Sequence, residues 1–176
     1  MKSPPLIRAL LLVGRLALAG VLLYAVYAKL DNPAGTFASF DPFRWQLAVA
    51  AFGIAIAQYQ VLPVGVTETA AYVVMGVEFL LGLWLITGAG LRWAAAAASS
   101  LLAFFFVLMT RAYLLGLNID CGCFGPGDRL GPLSLARDAA LLALALLVSA
   151  FAFRQAGRTM PARAAAEPHP APAPTP

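Results

Sequence analysis

Four stretches of this chain are apolar throughout apart from isolated polar residues and charged or aromatic flanks: approximately Ile7–Lys29, Thr69–Thr87, Trp93–Leu115 and Ser134–Phe153. A bilayer core of about 30 Å is crossed by roughly 17–25 helical residues, so each stretch predicts a membrane-spanning helix. A fifth stretch, Leu47–Ala57, lies between Trp45-Gln46 and Gln58-Tyr59-Gln60. Apolar segments of about 10–14 residues lie in the interface or re-enter rather than span, and Trp and Tyr at the ends suit the headgroup level. The pattern predicts an all-α membrane protein. It is a four-transmembrane-helix bundle with an additional short interfacial or re-entrant helix between the first and second spans.

Helix-breaking residues fall between these segments. Asp31-Asn32-Pro33 stops the first span, Leu62-Pro63 ends the short segment, and Gly88-Ala89-Gly90 turns the second span into the third. Ser134 is expected to N-cap the last span, with Asp138 in its first turn where a carboxylate suits the helix dipole. The apolar run Ala9–Ala28 exceeds the roughly 7–15 residues of a cleaved signal core and lacks a small-residue cleavage pattern, which predicts a retained first helix. One membrane domain, residues 1–158, is therefore expected. It is followed by an Ala/Pro-rich cytoplasmic tail, 159–176, which has no means of packing a core and is expected to be disordered.

Composition agrees: 61% of residues are hydrophobic and 11% charged, against roughly 45–50% and about 25% in soluble domains. Mean hydropathy is +0.82. The net charge of +4 comes from arginines at helix ends and in the tail, which suits lipid headgroups and not a nucleic acid. With four spans and the N-terminus inside, the inner side holds Lys2, Arg8, Arg92, Arg154, Arg158 and Arg163. The outer side holds Lys29, Arg44, Arg111, Arg129 and Arg137. Six against five is too small a bias to orient the chain. Segment length therefore argues for four spans, and the chemistry of the loop between the last two argues for the orientation.

That loop, Asp120-Cys121-Gly122-Cys123-Phe124-Gly125-Pro126-Gly127-Asp128, holds both cysteines of the chain. A disulfide between residues two apart closes a small ring in which departures from preferred geometry store strain. About 3 kcal/mol of strain would raise a two-electron potential by about 65 mV, toward the exchanging range. Gly122 frees the backbone, and Gly125-Pro126-Gly127 is expected to keep the loop tight and accessible. The spacing alone leaves five readings open: redox exchange, which leads only slightly; a pair of ordinary thiols; a static staple; palmitoylation; and metal ligation. For a metal, two thiolates fall short of the four ligands of structural zinc, and the one histidine, His169, lies in the tail, so no metal is assigned.

Ionisable residues within the spans are costly and face a bundle interior, a cavity or each other. Glu78 lies near the middle of the second span, either accepting a proton or pairing with Arg15, or staying protonated against a helical neighbour. Arg15, two turns into the first span, is expected to snorkel. Lys29 with Asp31, and Arg137 with Asp138, either form a charged collar that lowers a thiol pKa or anchor helix ends at the headgroups. Phe104-Phe105-Phe106 is expected to pack toward lipid and not to form a quinone box.

Together these features resemble the MauE family of methylamine-utilisation membrane proteins, within the wider DoxX-like group of four-helix membrane proteins. The resemblance rests on Arg15, Lys29-Leu30-Asp31-Asn32-Pro33, Tyr59-Gln60-Val61-Leu62-Pro63, Glu78 with Gly82, Asp120-Cys121-Gly122-Cys123-Phe124-Gly125 and Arg137-Asp138. It covers about residues 6 to 155, and Cys-Gly-Cys-Phe-Gly is its most specific element. The chain departs from the pattern in extra residues, roughly Gly35 to Ala50. The resemblance implies a role in disulfide formation in exported proteins, the named case being the disulfide-rich small subunit of methylamine dehydrogenase. It also implies a thioredoxin-like extracytoplasmic partner.

The leading expectation is thus a thiol–disulfide oxidoreductase of the bacterial inner membrane with both termini cytoplasmic. Cys121 and Cys123 would be its reactive pair, with Glu78, Arg15, Lys29, Arg137 and Asp138 in support. Its partners would be the bilayer, an exported cysteine-containing client and a thioredoxin-like protein, with no nucleic acid. Without a second cysteine pair, electrons leave through a partner protein or pass directly to a membrane carrier such as a quinone, which no residue reveals. The rival is a non-catalytic membrane scaffold with a stapled loop.

Overall fold

Without water in the bilayer core, each backbone N–H and C=O must find a partner within its own segment, and uninterrupted helix is the solution these apolar runs adopt. A computed structural model describes residues 5–30, 42–124 and 127–164. It contains α1 (Pro5–Leu30), α2 (Pro42–Gln58), α3 (Val64–Thr87), α4 (Leu91–Leu114) and α5 (Pro132–Ala164). Among the described residues, four helices are long and apolar enough to span: Ala9–Leu30, Val64–Thr87, Leu91–Leu114 and Pro132–Gly157. The apolar part of α2, Trp45–Gln58, is shorter and falls between the first and second spans, as its length predicts. Helix α5 runs to Ala164. Residues 165–176, including His169, and Asp31 lie outside the described residues.

Helix α4 packs along α5, α1 lies against α3 and also touches α5, and α2 lies across α3 and α1. Small side chains let the backbones approach closely, as membrane helices require when lipid is as apolar as leucine. Ala94, Ala95, Ala98 and Ala145 are fully buried beside Leu18, Leu22, Leu85 and Val148. A Cβ on Gly82 would fall 2.8 Å from Leu23 Cγ, and one on Gly53 would fall 3.2 Å from the Glu68 backbone. Leu10, Val13, Leu80, Val107 and Leu146 are exposed on the outer faces, where lipid replaces water as solvent.

The turns follow the glycine pattern. Gly88 (φ 69°) caps α3 and Gly90 (φ 57°) opens α4, both in the left-handed region glycine tolerates. The start of α5 differs from expectation. Pro132 occupies the first helical position, suited to a residue without an N–H, so Ser134 lies inside the helix. Its hydroxyl reaches back, accepting from the Gly131 N–H and donating to the Gly131 carbonyl, both at 2.8 Å. Asp138 therefore sits beyond the first turn.

The close seat of α2 on α3 yields a stability prediction. Gly53→Val should cost about 1–3 kcal/mol by overpacking against the Glu68 backbone. Gly76→Ala, where nothing lies within 4 Å of the added carbon, should be neutral or slightly stabilising. Denaturant unfolding of the purified variants in detergent measures both, and equal effects would contradict the packing described.

Candidate thiol redox site

The cysteine segment is folded back on itself. Asp120 and Arg129 form an antiparallel bridge, the Leu130 N–H donates to the Ile119 carbonyl at 3.0 Å, and the Cys121 N–H to the Asp128 carbonyl at 2.6 Å. Gly122 takes φ 72°, in the left-handed region that glycine tolerates, and a Cβ there would only make ordinary contact with the Phe52 ring of α2, at 3.5 Å. Tyr59, just past α2, donates its hydroxyl to the Cys121 carbonyl at 2.7 Å. Burial, reinforced by negative charge at the cysteines, Asp138 and Asp128, holds this phenol above its ordinary pKa, so it remains a donor.

These contacts pull the loop inward, against the expectation of an accessible pair. Cys121 is only 3% exposed, and Cys123 is half-buried. Their sulfurs lie 3.7 and 3.8 Å from Met109 Sδ on α4. The two sulfurs and an Asp138 carboxylate oxygen lie within 4.8 Å of one another. Two thiols, a thioether and a carboxylate form a donor set that could hold a soft cation, more than the two thiolates counted from sequence.

The pair is electrically asymmetric. The Arg137 guanidinium stands 3.6 Å from Cys121 Sγ, 2.8 Å from the Asp128 carboxylate and 3.4 Å from that of Asp138, with its Cζ 4.4 Å from the Phe124 ring centroid. The Cys123 thiol donates toward Cys121, and this holds the Cys121 pKa below the usual thiol value despite its burial. Acting as that donor, together with its own burial, holds Cys123 well above the usual value. Cys121 is thus the better thiolate, and Cys123 is the more exposed residue of the two.

Below the loop lies the buried ion pair of Lys29 and Glu78, with side chains 2% and 5% exposed. Lys29 Nζ donates to both Glu78 oxygens, at 2.9 and 2.8 Å, and to the Cys123 carbonyl at 3.1 Å. All three ammonium protons are therefore used, and the end of α1, the middle of α3 and the cysteine loop meet at one nitrogen. Glu78 consequently pairs with Lys29 and not with Arg15. Arg15 belongs to the other end of the bundle, where its guanidinium lies beside Gly88 in the space a Cβ there would need.

Of the supporting residues expected from sequence, the fold thus gathers Lys29, Glu78, Arg137 and Asp138 around Cys121 and Cys123 and leaves Arg15 apart. Met109, Asp128 and Tyr59 complete the surroundings. Tyr59 reads in sequence as an interfacial anchor. Met109 carries no local signal beyond its register with buried Ala112 on α4.

A cavity of about 250 Å³ adjoins the sulfurs, between α2, α3 and α4. Phe52, Val73, Val74, Phe104, Phe105 and Leu108 are among its wall residues, and Lys29, Tyr59, Glu78, Cys121 and Cys123 provide its polar groups. Phe104 is 56% exposed, in keeping with a lipid-facing ring, but it also forms the cavity edge with Phe105, at a ring separation of 5.9 Å.

Fold and site together define a multi-pass membrane protein with four apolar spans that carries a dithiol beside an apolar cavity. The family model described as Methylamine utilisation protein MauE matches residues 7–151, and the chain belongs to that family. No curated protein and no solved structure matches the chain.

The ion pair makes the second prediction. Glu78→Leu should cost about 3–5 kcal/mol because it strands a buried ammonium, and adding Lys29→Met should recover most of that loss. Unfolding midpoints of the single and double variants measure the difference. A double variant as unstable as the single would show that the pair is not what fails.

Proposed function

We propose that this protein is a thiol–disulfide exchange protein of the bacterial inner membrane that oxidises cysteines of exported proteins, with the cysteine loop on the extracytoplasmic side and both termini in the cytoplasm. The observation that carries the reading is the asymmetry of the pair: Cys123, the more exposed residue, lies next to a Cys121 whose thiolate is favoured by the Cys123 proton, with the Arg137 guanidinium 3.6 Å from its sulfur. In exchange, a thiolate attacks the reachable sulfur of a disulfide, and the reaction is faster when the departing thiol has the lower pKa.

With the pair oxidised, a client or thioredoxin-like partner thiolate attacks Cys123 Sγ. A mixed disulfide forms, the Cys121–Cys123 bond breaks, and Cys121 departs as a thiolate beside Arg137. A second client thiolate then attacks the client sulfur of the mixed disulfide. The client leaves with a disulfide and the pair is left as a dithiol, having taken two electrons. Family membership points to a client in methylamine utilisation as the first to test.

The asymmetry sets the test. Cys121→Ser retains Cys123, whose sulfur can attack the disulfide of an oxidised thioredoxin-like partner, and removes the thiolate that would break the resulting mixed disulfide, so it should accumulate a reductant-sensitive adduct with that extracytoplasmic protein. Cys123→Ser leaves only the buried sulfur and should accumulate several-fold less, and the double variant none. Non-reducing electrophoresis of membranes followed by peptide identification reads the adducts. If neither single variant forms any, and client disulfides form normally in all three, the exchange reading falls and a scaffold with a static loop replaces it. Orientation is checked separately by reporter fusions, which should report opposite compartments at Gly127 and Ala162.

A further inference from the structure

We propose that the cavity beside Cys121 and Cys123 binds the head group of a membrane quinone, which takes the two electrons that the cysteine pair collects. The proposal rests on the exchange reading above and supplies what that reading lacks. The chain has two cysteines and no others, so no second pair can pass electrons onward. An acceptor must therefore reach these two sulfurs.

The cavity suits such an acceptor in position, in lining and in access. It runs from the sulfurs into the apolar layer between α2, α3 and α4, and its volume of about 250 Å³ is near the lower end of small-molecule sites. Its surface is almost wholly apolar because its polar groups already satisfy one another. Lys29 spends its three protons on Glu78 and the Cys123 carbonyl, and Tyr59 donates to the Cys121 carbonyl. A charged or strongly polar ligand would find no partner there, whereas a flat apolar ring would meet Phe52, Phe105 and the two sulfurs. Val73 and Phe104, 58% and 56% exposed, stand at its edge on the outer faces of α3 and α4. Entry is thus from the side, through lipid, the phase in which a quinone dissolves.

The reaction balances on these groups alone. The Cys121 and Cys123 sulfurs lose their two protons and two electrons and form one S–S bond. The quinone gains two electrons and two protons and leaves as quinol. Cys121, the more acidic thiol, gives up its proton and delivers the electron pair to the quinone, and Cys123 then loses its proton and closes on the Cys121 sulfur, the two released protons ending on the quinol.

The test uses the full-length protein, reduced and freed of excess reductant, in lipid nanodiscs with decylubiquinone. Quinol should form in equal amount with the disulfide, and neither should form in the Cys121→Ser, Cys123→Ser double variant. Val74→Trp, which fills the cavity without touching a sulfur, should weaken quinone use by about tenfold or more, equal to about 1.4 kcal/mol of lost binding. Because that variant can fail to fold, wild-type protein is also labelled with an azidoquinone. Label should fall on α3 and α4 beside the cavity and be displaced by decylubiquinone, but not by an equal concentration of a long-chain alcohol. Displacement by both compounds alike, with no quinol formed, would make the cavity an acyl-chain site and overturn the proposal. The Cys121→Ser adduct separates the two readings, since it forms without quinone. Adduct without quinol overturns the acceptor alone, quinol without adduct overturns exchange alone, and absence of both overturns the two together.

Discussion

The arrangement depends on one buried ammonium. Lys29 ends α1, Glu78 sits in the middle of α3, and the Cys123 carbonyl belongs to the loop between α4 and α5, and all three meet at Lys29 Nζ within 3.1 Å. A charge in a low-dielectric interior is tolerable only when its partners are close and its protons are all used, and here both conditions hold. The pair therefore acts on geometry more than on net stability. It fixes how far α1 lies from α3, and it holds down the strand of backbone that carries the second cysteine.

Around that anchor the loop is held from each side by a different kind of contact. Tyr59 grips the Cys121 carbonyl from the α2 end, Gly122 rests on Phe52, and Met109 lies under both sulfurs from α4. Arg137 is shared among Cys121, Asp128 and Asp138, so its charge is partly neutralised and its reach is fixed. The Asp138 carboxylate lies 3.9 Å from Cys121 Sγ and opposes a thiolate there, while Arg137 and the Cys123 proton favour one. The hydrogen bond from the Cys123 thiol outweighs burial and the two carboxylates, which leaves Cys121 as the more acidic thiol of the pair.

Much of this was legible in the sequence because membrane length is a hard constraint. Spans one to four, the short α2 and the glycine turn at residues 88–90 follow from apolar run length and from residues that cannot continue a helix. The cysteine pair and its collar of Lys29, Arg137 and Asp138 were also visible, since ionisable residues at span ends are few. What the sequence hid were the pairings. Arg15 and Lys29 are both basic residues of the first span, and only the antiparallel packing of α1 on α3 decides that Lys29 reaches Glu78 while Arg15 meets Gly88. Ser134 was misplaced because Pro132 starts the helix a turn earlier than the polar pattern suggests. The inward fold of the loop depends on Tyr59, Gly122 and Met109 meeting from three separate elements, which no local pattern encodes.

A single dithiol imposes an order on the proposed chemistry. Cys121 has to be the departing thiolate toward a protein partner and the electron donor toward the membrane acceptor, and it cannot be both at once. While a client is bound to Cys123, the sulfur that would close on Cys121 is occupied, so the membrane half-reaction must wait for the client to leave. In the proposed scheme the two substrates approach from different phases, one from water over the loop and the other from lipid past Phe104, which is 56% exposed at the cavity edge. Alternation therefore comes from the shared sulfurs and not from competition for space. Kinetics in the two substrates should accordingly be ping-pong, with parallel double-reciprocal lines, and intersecting lines would show that both are held together before electrons move.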